Sequence, residues 1–191
     1  MALMLLPAHT VSGQPVNLNS GTSDSTLTMI PARWEKIPLE RPYNWVNDFE
    51  NSLTASQEKH LDSLLTALYK KTTIEMFLVT VDTAVSNKEM FGDLGLHILK
   101  NWYATADSNS WGGLVLISKS LKKIKILSNE NLEQFISEEE MKAVVEQGFM
   151  PGYMAGDFYR GTREGTVKLT VTLRKNYKKW SDANEKKPQP K

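Results

Sequence analysis

Oxygen-bearing side chains lie in two loops around the last two predicted strands. Asp107 lies in a polar loop that precedes the apolar strand 113–117. Glu130 and Glu133 follow the next predicted strand. The turn between these strands is tight, which makes them antiparallel and brings both loops to one edge of the sheet. Carboxylates are ligands that hard cations prefer, so the pattern predicts a divalent-cation site, with calcium as the expected ion. The alternative is a set of solvated loop carboxylates and a helix cap.

Asp48 lies shortly before the first predicted helix and has two interpretations. Its carboxylate could accept backbone N–H groups near the helix start, as capping residues do. It could instead ligate a metal together with other loops. We therefore include Asp48 with Asp107, Glu130 and Glu133 as a candidate metal ligand.

Catalytic groups for phosphate chemistry are sparse in the sequence. There is no cysteine for a thiolate nucleophile, and no D-x-D pair is present. The three histidines, His9, His60 and His97, are scattered, whereas a two-metal hydrolase clusters its Asp and His ligands. A site made of carboxylates alone stays open. We therefore favour a non-catalytic protein and keep a metal-assisted acid phosphatase as the alternative.

Four lysines mark the predicted turn and last strand: Lys119, Lys122, Lys123 and Lys125. Lysine on an edge strand discourages edge-to-edge aggregation. The rival interpretation is a surface for an anionic partner or a membrane. The whole chain has a formal net charge of only +1, so we do not expect a nucleic-acid partner.

The helices and strands that position these residues follow from periodicity. Capping-box patterns begin at Thr54, Ser86 and Ser137 and predict three helix starts. Apolar runs at 74–81 and 113–117, with a shorter one at 124–127, predict strands. The strand–helix–strand order predicts a parallel, right-handed crossover. We expect an α/β fold, a three-layer α/β/α sandwich with a small mixed sheet.

Three segments of the chain leave alternatives open. Residues 166–180 show both a strand alternation and a helical stripe, so pattern alone does not decide between them. Residues 1–44 are interpreted as a mostly flexible leader, although the stretch from Pro31 to Pro42 either packs as an arm or exposes Trp34 to a partner. The apolar run 2–6 is either a signal remnant or accidental, and it is too short to span a membrane. Residues 181–191 form a charged tail that we expect to be disordered.

An ordered series of motifs resembles the TPM domain family. The series begins with Val46-Asn47-Asp48-Phe49 and includes the strand 113–117 and Leu132-Glu133. It ends with Gly156-Asp157-Phe158-Tyr159-Arg160-Gly161. Two family patterns differ here: Ser110-Trp111-Gly112-Gly113 replaces a D-N-G loop, and residues 128–133 keep only the last two positions of T-G-x-G-L-E.

The resemblance implies an α/β/α sandwich with a long C-terminal helix, which favours helix for residues 166–180. It also implies calcium binding in some members, acid phosphatase activity in one, and an extracytoplasmic or membrane-tethered location. We therefore expect a TPM-like domain at 45–180, of bacterial or organellar type, monomeric and soluble. The expected function is binding of a protein partner and of a divalent cation, with membrane association left open and no spanning segment.

Overall fold

A computed structural model describes residues 31–103 and 110–185. After a short 3-10 turn at Ala32–Lys36, the elements are β1 (Val46–Asp48), α1 (Ala55–Thr72), β2 (Glu75–Thr80), α2 (Phe91–Tyr103), β3 (Gly112–Ser118), β4 (Lys123–Ser128), α3 (Glu138–Val144), a π-helical turn (Val145–Phe149), α4 (Met150–Met154) and α5 (Phe158–Glu185). Most of the expected leader, the loop that contains Asp107 and the end of the expected charged tail lie outside the described residues.

The four strands form one mixed sheet in the order β1-β2-β3-β4. β1, β2 and β3 are parallel, with Asp48 paired to Thr80 and Thr80 to Ile117. β4 runs antiparallel to β3, with Gly113 opposite Ser128. This topology confirms the predicted α/β fold, the parallel crossover and the antiparallel last strand.

Side chains on β2 point alternately to the two faces of the sheet, as the period of a strand requires. Met76 and Leu78 pack in a core with α1 and α5. Phe77 and Val79 pack in a second core with α2. Helices therefore cover both faces, and the predicted three-layer sandwich is confirmed.

The two helical crossovers have opposite hands. The chain moves in one direction across the sheet from β1 to β3, yet α1 and α2 cover opposite faces. A right-handed crossover is the strong rule for parallel strands, so only one of these two connections obeys it. The strand–helix–strand order therefore predicted the parallel strands correctly, but the right-handed crossover expected from it does not hold for both connections.

The segment 166–180, which pattern alone left undecided, is part of helix α5. Leu169 and Leu173 are fully buried, whereas Val167 and Val171 are 40% and 51% exposed. A strand would have put all four on one face, while the helix buries only the leucine stripe. The helix that the family resemblance implied is confirmed.

Glycines allow α5 to lie close to the helical segment that precedes it. A Cβ atom at Gly152 would lie 2.4 Å from the Cα of Gly161. One at Gly165 would lie 2.2 Å from the ring of Phe149. Any side chain at these positions would force the helices apart, so the small residues are a packing device.

The stretch that begins at Pro31 packs on the α2 face of the sheet. Trp34 and Ile37 are buried, and the Trp102 indole N–H donates to the Pro38 carbonyl at 2.8 Å. Packing of this arm, rather than exposure of Trp34, is what the structure shows.

Among the described helices, none combines the length and the apolar character needed to cross a bilayer.

Helix starts follow two of the three predicted capping boxes. Thr54 and Ser137 each form a complete box with the residue three positions on. The third prediction is wrong, because α2 begins at Phe91, five residues after Ser86, and the Ser86 hydroxyl donates to the Asn87 carbonyl. The Asn87 side chain accepts the backbone N–H of Met90 in the turn that precedes the helix.

Candidate functional site

Asp48 ends β1 at the carboxyl edge of the parallel strands, and its carboxylate is fully engaged within the chain. One oxygen accepts the backbone N–H of Ser52 at 3.1 Å, and the other accepts that of Leu53 at 2.8 Å. The hydroxyl of Thr80, at the end of β2, also donates to this carboxylate. These bonds hold the loop before α1, which matches the capping interpretation of Asp48.

Glu58 lies near Asp48 and is affected by its charge. Burial, together with the negative charge of Asp48, raises the pKa of the Glu58 carboxyl above its ordinary value. The two carboxylates therefore repel one another when both are ionised. This is the most direct electrostatic consequence of placing Asp48 at the helix start.

Glu50 is a residue that the sequence reasoning missed. Its carboxylate accepts the backbone N–H groups of Lys119 and Ser120, at 2.8 Å and 2.7 Å, in the turn between β3 and β4. Its own backbone N–H donates to the Thr80 hydroxyl. Glu50 thus ties the loop after β1 to the lysine-rich turn, a contact about 70 residues apart in sequence that no local pattern could signal.

A cleft of about 350 Å³ opens beside this turn, and we call it the carboxyl-edge cleft. Its lining combines the end of β3, the following turn and the residues around the α4–α5 junction. The β3–β4 turn and the start of β4 contribute Lys119, Lys122 and Lys123, and the α4–α5 region contributes Met150, Tyr153, Met154 and Phe158. The Lys119 ammonium lies 5.5 Å from the ring centroid of Phe158. Within the described chain, no acidic residue lines it. Among the same residues, none of the three lysines forms an ion pair.

Glu130 and Glu133 lie at the opposite edge, which we call the amino edge because β3 begins there. The side chain of Asn129 donates to the Ser110 carbonyl at 2.8 Å and accepts the Gly112 N–H at 3.1 Å. These bonds join the segment after β4 to the end of the loop before β3, as the antiparallel order predicts. Both glutamates are exposed.

The four candidate metal ligands do not share one edge. β2 spans six residues, which at ~3.3 Å each separates the two edges by about 20 Å. Asp48 is at the carboxyl edge, whereas Glu130 and Glu133 are at the amino edge, and Asp107 lies outside the described residues. Within the described part of the chain, no group of three His, Cys, Asp or Glu side chains is arranged to hold a metal ion.

An aromatic cluster at the amino edge contains Trp111, Phe135, Tyr177 and Trp180. The ring of Trp111 lies 4.8 Å from that of Phe135 and 5.3 Å from that of Trp180. Tyr177 contacts both Trp111 and Phe135. Trp111 is therefore a packing residue, and it fixes the C-terminal half of α5 against the sheet.

A partly buried cation, Arg41, is a second feature that sequence patterns did not reveal. The Arg41 guanidinium lies 5.3 Å from the ring centroid of Phe77 and 5.7 Å from that of Tyr103, and it bonds Glu75 at 2.7 Å. The Tyr103 hydroxyl donates to the Glu75 carbonyl, and burial raises the pKa of this phenol. The two charged side chains are paired with each other, so the cluster locks the arm to the sheet.

A family model described as the TPM domain matches residues 46–171. The chain belongs to the TPM domain family. The match begins at β1 and ends within α5, so it includes both edges of the sheet. No curated protein matches the chain.

Solved structures of bacterial proteins share this TPM fold. The N-terminal domain of a P. gingivalis protein has a TM-score of 0.63 at 18% identity, covering 71% of this chain and 85% of that one. The BA42 protein of Bizionia argentinensis has a TM-score of 0.57 at 18% identity, covering 67% and 86%. At these identities the likeness establishes the fold and nothing further.

Proposed function

We propose that this TPM domain is a non-catalytic module that binds a protein partner through the carboxyl-edge cleft. The observation that carries the proposal is the open, mixed surface of the cleft. Met154 is 82% exposed beside the partly buried Tyr153 and Phe158, and the exposed Lys119 and Lys122 line the same cleft. An exposed apolar surface with a polar rim is typical of a protein interaction site.

Two carboxylates at the carboxyl edge of the sheet support a binding role over a catalytic one. Asp48 and Glu50 each accept two backbone N–H groups, which fixes the orientation of both side chains. A general acid or base must exchange its proton with a substrate, and the backbone hydrogen bonds of these two carboxylates make them poor candidates for that role. Metal-assisted acid phosphatase activity is the alternative that an assay must exclude.

A divalent cation, calcium in our proposal, forms the second part of this function. Glu130 and Glu133 carry exposed carboxylates, and the bond from Asn129 to Ser110 brings their segment beside a residue that follows Asp107 by three positions in the sequence. Oxygen ligands from two converging loops suit calcium. An extracytoplasmic location belongs to the same proposal, supported by the family resemblance.

Site-specific photo-crosslinking tests the partner site in cells that make the protein. A photo-reactive side chain replaces Met154 in one variant and Leu96, an equally apolar and 54% exposed residue of α2, in the control. We expect a protein to be trapped from position 154 and not from 96. Its copurification with the intact chain should be lost in the variant Lys119→Glu/Lys122→Glu. Equal trapping from both positions would contradict the proposed site.

A turnover assay on a generic phosphoester, with calcium or magnesium present, tests the alternative. We expect no turnover by the purified chain. Turnover that disappears in both Asp107→Ala and Glu133→Ala variants would favour the phosphatase instead. Turnover that survives both substitutions would indicate contamination or another site.

A further inference from the structure

We infer that the carboxyl-edge cleft recognises an acidic segment of a partner protein that carries one bulky apolar side chain. This inference rests on the proposed function and specifies the chemistry of the partner. The lysines would meet the carboxylates of the segment, and the apolar side of the cleft would take the bulky side chain. The apolar residues of the cleft and its exposed lysines each support one part of this inference.

The apolar side of the cleft is a firm platform with a flexible border. The rings of Tyr153 and Phe158 are stacked at 5.5 Å with an interplanar angle of 11°. The Tyr153 hydroxyl bonds that of Thr162 at 3.0 Å, which holds its ring in place. Met154 extends from the border, and methionine adapts its shape to a partner at little cost. A cleft of about 350 Å³ has room for a bulky side chain.

None of the lysines that line the cleft forms an ion pair within the described part of the chain. Glu50, the carboxylate nearest to the turn in the hydrogen-bond network, is bound to backbone N–H groups of Lys119 and Ser120. Lys123 donates to the Lys88 carbonyl, whereas Lys119 and Lys122 are exposed. The chain as a whole has a formal net charge of only +1, so the two exposed lysines are a local concentration of positive charge.

The shape of the cleft favours a protein segment over a membrane surface. The apolar platform belongs to the α4–α5 junction, and the exposed lysines belong to the β3–β4 turn that faces it. A flat lipid surface would touch the exposed side chains of Met154, Lys119 and Lys122, whereas Tyr153 is only partly exposed. A narrow peptide can place carboxylates and an apolar side chain on the two sides together.

A peptide-display selection on the intact chain tests this inference with random sequences in place of the natural partner. Random 12-residue peptides serve as the probe, and bound peptides are sequenced. We expect enrichment of Asp and Glu around one Leu, Phe or Trp. The variant Lys119→Glu/Lys122→Glu should not select these peptides. The control variant Lys175→Glu/Lys179→Glu has the same change of charge about 25 Å further along α5 and should select the same peptides as the unmodified chain.

The strongest selected peptide is then titrated into the isotope-labelled chain. Its amide shifts should map to residues 117–124 and 150–158, and Lys119→Glu/Lys122→Glu should weaken binding at least tenfold. Replacing the apolar residue of the peptide by Ser should weaken it several-fold. Neutral or basic selected peptides, no enrichment, shifts elsewhere, or an unchanged affinity for the Ser peptide would each overturn the inference.

Anionic vesicles provide the remaining comparison. Vesicles of phosphatidylglycerol and phosphatidylcholine should not bind the chain more tightly than neutral vesicles at physiological salt. Strong binding to the anionic vesicles without any selected peptide would mean that the surface is a membrane contact. If a protein is crosslinked from position 154 but the peptide selection fails, the acidic segment is rejected and the proposed function is kept. If the crosslinking itself fails, the proposed function is rejected.

Discussion

The two edges of the sheet both carry carboxylates, but they use them in opposite ways. At the carboxyl edge, Asp48 and Glu50 accept backbone N–H groups and hold loops together. At the amino edge, aromatic packing around Trp111 holds the structure, and Glu130 and Glu133 remain exposed. An acidic residue next to a strand end therefore does not mark a ligand site until its hydrogen bonds are known. The difference leaves lysines available at one edge and carboxylates at the other.

Loss of the aromatic packing should give the largest effect. Trp111→Ala removes ring contacts with Phe135, Tyr177 and Trp180, so we expect a loss of about 3 kcal/mol in the free energy of unfolding. Urea denaturation measures it. Trp180→Ala, at the 36% exposed border of the cluster, is the control and should cost about 1 kcal/mol. Equal costs would show that the cluster is not centred on Trp111.

Removal of the Asp48 carboxylate should have the next largest effect. Asp48→Ala leaves two backbone donors and the Thr80 hydroxyl without their acceptor, which should cost about 2 kcal/mol. Glu133→Ala, an exposed carboxylate at the other edge, should change stability by less than about 0.5 kcal/mol. An Asp48→Ala variant with unchanged stability would contradict the contrast between the two edges.

Prediction from sequence succeeded where the signal was local and failed where it was not. Three of the four strands, the Thr54 and Ser137 caps and the meeting of the Glu130 segment with Ser110 followed from periodicity, capping patterns and strand order. The strand β1 was missed, because its three residues are too few to show a period. The strand-like alternation at Val167 and Val171 competed with the helical stripe, and family resemblance supplied the preference for helix.

The role of Glu50 could not be predicted because it depends on distant partners. Asp48 had two open interpretations: its bonds to the nearby Ser52 and Leu53 N–H groups match the capping one, and the pairing of β1 with β2 adds Thr80, which no local pattern could signal. Glu50 and the carboxyl-edge cleft require the β3–β4 turn and the α4–α5 junction to converge. Calcium binding, phosphatase activity, the partner and the location stay predictions.

Cutting the link between Glu50 and the lysine turn should have a smaller effect. Glu50→Ala removes two hydrogen bonds to Lys119 and Ser120 at a water-exposed site, and we expect a loss of about 1 kcal/mol. Hydrogen exchange at these two amides should accelerate by more than at Gly113, which lies within the β2–β3–β4 pairing. Unchanged exchange at the turn would show that Glu50 does not hold it.

The pH response of Glu58 should be the smallest effect. Its raised pKa means that its contribution to stability is present at acid pH, below the ordinary carboxyl value, and is lost as the pH rises through the raised pKa. Asp48→Asn removes the neighbouring charge and should lower the pKa of Glu58, measured by the side-chain carbon shift. An unchanged pKa would mean that burial alone accounts for the shift.

Calcium titration into the isotope-labelled chain tests the contrast between the edges most directly. We predict saturable amide shifts at Ser110 and at residues 129–133, with none at Asp48, Glu50 or the lysine turn. Glu133→Ala should weaken the response, while Lys175→Glu should leave it unchanged. Shifts centred on Asp48 and Glu50, or no shifts at millimolar calcium, would contradict an account in which the amino-edge carboxylates are the ones available to a cation.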